Sequence, residues 1–373
     1  MKRFKDLFTV ILFSAVVFLT FAAHIILPDG DVSYAERRKL DQFPPLTAET
    51  VLSNEFSEKL EGYFLDQSPL REKYRYLNTF VRMQLLFQSE VNGLWTENGH
   101  IFKRPDAYNQ KQVDYGCNII NKVTSEYLSD MNVYYSVIPD KSYFSENSQG
   151  YFDYETLLYS LSEKLDKGEY INIIDTLSLE DYYKTDSHWS QDKILKVSEK
   201  LASAMGKESE TAGYTVEEIP DFYGVYYGQG AILGIEPDTI KYLTNPELEN
   251  AVVSGIPAEE LKSKFGVEDT LEREVYALSK LEGMDDYDIF LSGGQSVVSI
   301  ELAEGNGKEL VIFRDSFGSS IAPLMLGAYQ KVTLVDLRYI PSQLIGDYVE
   351  FNANQDALFL YSASMLNSSM LFR

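Results

Sequence analysis

The period of the hydrophobic pattern changes along the chain, and those changes divide it. Leu7 to Pro28 carries no acidic residue, lysine or arginine and follows Lys2, Arg3 and Lys5. That run is about the length a bilayer core requires. Bulky Ile25, Ile26 and Leu27 close it, where a cleaved signal would carry small residues, so residues 1–28 are expected to form an uncleaved anchor. The basic flank predicts a single-pass topology at the cell membrane, with Asp29 onward outside. A polar segment, 29–50, reads as an extracellular stalk, because Pro44-Pro45 favours extended chain over helix.

Helical spacing then predicts two helices, Val51 to Phe64 and Pro69 to Phe87, the second with Ser68 as N-cap and Pro69 at its first position. Asn98-Gly99 between Trp95 and Ile101 is a hairpin signal, with His100 just beyond the turn. From about Gln110, helix and strand patterns alternate. Helices are expected near 112–129, 154–164 and 190–204, after Ser319, and over 342–351; strands are expected at VYYSVI, INIID, ELVIF, KVTLVDL and ALFLYSA. Such alternation predicts an α/β domain, 51–373, built on a parallel sheet with flanking helices. Residues from about 207 to 307 are richer in turn residues and read as an irregular insertion with short strands and one helix near Ala258 to Phe265.

Charge narrows the functional classes. With 57 acidic against 33 basic residues, the formal charge of -24 repels a phosphate backbone, which argues against nucleic acid as partner. The single Cys117 cannot form an internal disulfide, and no Cys/His spacing suits zinc, so neither metal nor cofactor is expected.

Candidate chemistry appears where ELVIF runs into Arg314-Asp315-Ser316-Phe317-Gly318. A strand end, a short turn and a helix start is where α/β folds carry functional loops. Ser316 there suits a nucleophile whose neighbouring amides stabilise an oxyanion; alternatively, Asp315 and Ser316 only cap the next helix. A serine nucleophile needs a base. Of the three histidines, His24 lies in the anchor and His100 beside a hairpin turn, which leaves His188 in YKTDSHWSQ. Asp186 can hold one ring nitrogen of His188 and leave the other free to accept a proton, or it can serve as a cap; Trp189 is expected to pack the loop.

The ordered blocks FLDQSPLREK, VIPDKSYF, TDSHWS, RDSFGSS and VTLVDLRY resemble the DHHW proteins of Gram-positive bacteria, which are similar in turn to alginate O-acetyltransferases of the SGNH-hydrolase-like superfamily. The resemblance runs from about Glu36 to the end of the chain. It implies a Rossmann-like three-layer core and a triad of Asp186, His188 and Ser316. Two positions depart from the pattern: DHHW is Asp-Ser-His-Trp here, and the Gly that precedes Asp-Ser in the alginate enzymes is Arg314, which is expected to alter access or substrate charge. Gly293, Gly294 and Gln295 are candidate oxyanion donors, and Arg338 a candidate for orienting substrate, with a structural salt bridge as its alternative.

The implied function is an extracytoplasmic O-acetyltransferase or acetylesterase acting through an acyl-serine on a cell-surface or secreted polysaccharide. A membrane-bound O-acyltransferase is the implied acetyl donor. The alternative from another class is a non-catalytic polysaccharide-binding or assembly protein, with FYGVYYG as its most visible aromatic stretch among 27 Tyr and 21 Phe.

Overall fold

Val, Ile, Leu, Phe and Tyr fill the segments around which the domain is built, as suits residues that fit a pleated surface buried on both sides. In the computed structural model, which describes residues 2–148, 152–209 and 213–373, the strands β1 (Asn132–Ile138), β2 (Glu169–Tyr170), β3 (Val252–Gly255), β4 (Val297–Glu301), β5 (Glu309–Arg314), β6 (Lys331–Val335) and β7 (Gln355–Ser362) form one sheet. Their order is β2-β1-β7-β5-β6-β4-β3. The pairs from β2 through β6 are parallel, and β4 and β3 add antiparallel to the β6 side.

Alternate residues of each strand face opposite ways, and the core divides accordingly. Leu310, Ile312, Leu334, Leu358 and Leu360 join α3 (Leu195–Ala204) and α4 (Phe317–Met325) in one apolar cluster. Val311, Phe313, Ala357, Phe359 and Tyr361 join α1 (Gln110–Tyr127) and α2 (Tyr154–Lys164) in another. The result is a mixed α/β domain with helices against both faces of the sheet. The Asn98-Gly99 turn joins Leu94–Glu97 to His100–Lys103 with φ of 50° and 78°, the left-handed pair that a two-residue hairpin loop demands.

Several elements differ from the sequence pattern. Residues 207–307 are not wholly outside the sheet, since they supply β3 and β4. The expected strand INIID is instead a single backbone bond from Ile171 to Tyr135 followed by a 3-10 turn, Ile174–Thr176. Residues 342–351 form only a 3-10 segment, Ser342–Asp347. Ser190 precedes a 3-10 turn, and its hydroxyl donates to Asp192 rather than capping α3. The helix expected after Ser319 begins earlier, at Phe317.

The chain divides into two units, this domain (Gly93–Tyr226 with Glu236–Arg373) and a smaller one (Met1–Asn92 with Tyr227–Ile235). The smaller unit holds the N-terminal helix Lys2–Ile26, the one helix among the described residues long and apolar enough to cross a membrane, with mean hydropathy 2.3 in its span Phe4–Ile26. The expected stalk is partly folded. Val32–Ser33 pairs with Arg38–Lys39, and the Arg38 guanidinium donates two hydrogen bonds to Asp66, which draw that carboxyl below its usual range. The two helices expected next are interrupted. Asn54, at φ 66°, separates Ala48–Leu52 from Glu55–Asp66, and Leu70, at φ 60°, delays the following helix to Arg71, so Ser68 and Pro69 do not cap it.

Candidate active site

The strand β5 is the fourth of seven across the sheet, and its carboxyl end delivers Ser316 to the first turn of α4. Ser316 occupies the N-cap position, yet its hydroxyl caps nothing. Asp315 does that work: one carboxylate oxygen accepts from the Phe317 amide at 3.1 Å, and the other from the amide and hydroxyl of Ser362 at the end of β7. The turn is thus tied to the neighbouring strand without help from Ser316.

Released from capping, Ser316 Oγ lies 2.7 Å from His188 Nε2. His188 sits in the loop closed by the antiparallel bridge between Tyr182 and Trp189, with its carbonyl accepting from the Tyr183 amide. Its other ring nitrogen, Nδ1, is 2.6 Å from Asp186 Oδ1, which also accepts from the His188 amide at 2.9 Å. The second oxygen of Asp186 accepts from the Val225 amide at 2.8 Å. Asp186 is 0% exposed, so its orientation is set by these donors and by packing. Gly224 is part of that packing, because a Cβ there would lie 2.3 Å from Asp186 Cβ and 2.6 Å from its Cα.

Two aromatic residues join the loop to α4. Tyr287 stacks on the His188 ring, centroids 4.0 Å apart and planes at 10°, and donates its hydroxyl to Ser320. Burial pushes the Tyr287 hydroxyl well above its ordinary pKa, so it stays a neutral donor. Trp189, fully buried, donates its indole N–H to the same Ser320 hydroxyl at 2.8 Å. Tyr287 lacks a motif of its own in the sequence, and nothing short of the fold places it against His188.

The remaining sequence candidates make contacts of their own. The Gly293 carbonyl accepts from Arg314 Nη2, and Gly293 itself is at φ 71° with no room for a side chain beside Asp288. Gly294 lies under the Tyr339 ring. Gln295 donates its amide to Thr270 and to the Ser292 carbonyl, so that side chain is already engaged. Arg338 donates two hydrogen bonds to the fully buried Asp336, the structural salt bridge that was its alternative reading. Arg314 is 0% exposed, which removes the expectation that it alters substrate charge. Its guanidinium binds the Gly293 and Asp315 carbonyls and approaches Asp336 at 3.4 Å, bracing the serine turn from beneath. Among the described residues, no cluster of His, Cys, Asp and Glu suits a metal ion.

No family model and no curated protein matches the chain. Solved structures do. A DHHW family protein from Eubacterium siraeum superposes with a TM-score of 0.58 at 21% identity, over 76% of this chain and 95% of its own. PatB1 of Bacillus cereus gives 0.58 at 18% identity, over 75% and 99%, and has also been solved with a sulfonyl adduct. The O-acetyltransferase domain of Pseudomonas putida AlgJ gives 0.44 at 9% identity, over 74% and 92%. The resemblance read from the sequence blocks therefore has counterparts among solved structures, and at these identities the likeness is one of fold.

Proposed function

We propose that the protein is a serine acyl-enzyme, an O-acetyltransferase or acetylesterase of SGNH-hydrolase-like architecture, acting outside the cytoplasm on a cell-surface or secreted polysaccharide. The observation that carries this reading is the continuous hydrogen-bonded line Asp186, His188, Ser316, with successive distances of 2.6 and 2.7 Å. A capping serine or a structural histidine has no need of that line.

In the proposed reaction, His188 Nε2 takes the Ser316 proton as Oγ bonds to an ester carbonyl carbon, and Asp186 holds Nδ1–H and stabilises the imidazolium. The tetrahedral intermediate collapses, and its C–O bond breaks as His188 returns the proton to the departing alcohol. A second alcohol or water, deprotonated by His188, then attacks the acyl-serine, and as the acyl C–Oγ bond breaks His188 returns the proton to Ser316 Oγ. The Ser316 backbone N–H, at the start of α4, is the oxyanion donor best supported by position, because Gln295 is otherwise engaged. Transfer and hydrolysis share these residues and differ in the acceptor.

The N-terminal helix supports anchoring with the larger unit outside. A polysaccharide acceptor and a membrane-bound O-acyltransferase as acetyl donor follow from the family resemblance. The test is turnover of p-nitrophenyl acetate by the detergent-solubilised full chain, with mass spectrometry of Ser316. Acetyl on Ser316 in the wild type and none in Ser316→Ala is the expected result. Glycan binding without turnover or acyl intermediate would replace this reading with a binding or assembly role.

A further inference from the structure

The mechanism makes no use of Lys141, yet this lysine is 1% exposed in the interior beside the histidine loop. Its ammonium lies 2.9 Å from the Tyr183 carbonyl oxygen, 3.1 Å from that of Lys184 and 2.6 Å from that of Asp186. An ammonium has three N–H donors and no acceptor, so these three carbonyls match its whole donor set. The rings of Tyr226 and Phe102 lie 5.1 and 5.6 Å from Nζ, within reach of cation–π attraction.

The opposite side of the same loop is held by the opposite charge. The amides of Lys184 and Thr185 each donate to an oxygen of Asp238 at 2.8 Å, and the Thr185 hydroxyl donates to it at 2.6 Å. The carbonyls of Tyr183, Lys184 and Asp186 therefore converge on a cation while the amides of Lys184 and Thr185 converge on a carboxylate. Burial pulls Lys141 down to about 7, opposed by Asp186 and Asp238, and the three carbonyl acceptors also favour its charged form. Burying an ammonium is unfavourable unless its donors are satisfied; a methionine would fill the space without that demand. The carbonyl it grips at 2.6 Å belongs to Asp186, the residue whose carboxylate meets both the amide and Nδ1 of His188.

We propose that Lys141 is a positioning residue: with Asp238 opposite, it fixes the backbone of residues 183–186 so that Asp186 meets His188 and His188 meets Ser316. The kinetic consequence rests on the acyl-transfer reading; the geometric consequence does not.

The test uses the detergent-solubilised full chain and two readouts. One is the far-downfield proton resonance of His188 Nδ1–H bonded to Asp186, assigned by its absence in His188→Gln. The other is the rate at which phenylmethylsulfonyl fluoride labels Ser316. In folded Lys141→Met the resonance should broaden away and labelling should slow at least ~10-fold, since a misplacement of about 1 Å in a reacting array costs up to about 100-fold. Asp238→Asn should move both readouts in the same direction by less. Folded Lys141→Met with the wild-type resonance and labelling rate overturns the proposal. If that variant does not fold, unchanged readouts in Asp238→Asn overturn it. If the wild type is neither labelled at Ser316 nor active, yet its resonance is lost in Lys141→Met, the acyl-transfer reading fails and the positioning role stands.

Discussion

The two halves of the candidate site are built by different means. Ser316 rides on regular structure: a central strand, a two-residue turn and a helix, with Asp315 and Arg314 bracing the junction. Asp186 and His188 ride on a loop with little regular structure, held by the side chains of Lys141 and Asp238, which reach in from distant positions, and by the Val225 amide on the Asp186 carboxylate. Backbone ladders carry the serine half up to a turn that side chains brace, whereas the histidine half depends on side-chain bonds to backbone along its loop. The second half should therefore yield first to substitution and to acid.

The largest expected effect removes the line between the halves. Ser316→Ala and His188→Ala should each lower acetyl-ester turnover by several orders of magnitude, with the double variant little worse than either, because groups acting as a unit are strongly non-additive. Multiplicative losses in folded proteins, measured as kcat/KM, would show that the halves work separately.

The next effect compares two glycines. Gly224→Ala would drive a methyl into the Asp186 backbone, where the nearest Cα is 2.6 Å from the new Cβ. Gly318→Ala would press on Arg314 Cβ at 2.5 Å, beneath the serine turn. Both should destabilise, by about 1–3 kcal/mol for overpacking. At matched stability Gly224→Ala should lose about tenfold or more of the Ser316 labelling rate, on the scale expected for misplacing a reacting group, and Gly318→Ala clearly less. Equal losses would erase the distinction between a loop-held and a ladder-held half.

The remaining expected effect is one of pH, and it bears on stability rather than on rate. His100 neighbours the histidine loop, since the adjoining Ile101 amide donates to the Lys184 carbonyl. Burial, reinforced by the charge of Lys141, lowers the His100 pKa from 6.5 to about 4. Between those values the unfolded chain binds a proton that the folded chain refuses, so stability rises with pH across the window and is lost as pH falls from about 6.5 toward 4. The loss attributable to this group is at most about 3 kcal/mol. Urea midpoints measured from pH 7 to 4 should therefore fall less steeply in His100→Gln; an identical slope would remove His100 as the source.

The same contrast explains what the sequence made legible. ELVIFRDSFGSS announces strand, turn and helix through local pattern, and the structure places Ser316 at that junction. Asp186 and His188 were legible as a spacing, but the residues that orient them were not. Lys141, Asp238 and Tyr287 lie 45, 53 and 99 residues from the segments they contact, by the numbering of Lys141 to Asp186, Asp238 to Thr185 and Tyr287 to His188. No periodicity reports contacts at such separations. The candidates in FLSGGQS and VDLRY stand out in the sequence for their donors, yet Gln295 directs its amide to Thr270 and the Ser292 carbonyl, and Arg338 directs its guanidinium to buried Asp336. The interrupted helices of the smaller unit were missed because left-handed Asn54 and Leu70 leave no mark in the hydrophobic pattern.

The position of β7 has a consequence for how the molecule comes into being. It is last in sequence among the seven strands yet lies between β1 and β5. Ribosomes deliver the chain amino end first, so β1 and the β5–β6 pair emerge before the strand that joins them. Until residues 355–362 arrive, each presents an unpaired edge open to pairing with other chains. A nascent chain arrested before that point holds all three residues of the candidate site, while the sheet that would bring them together is still open at its centre.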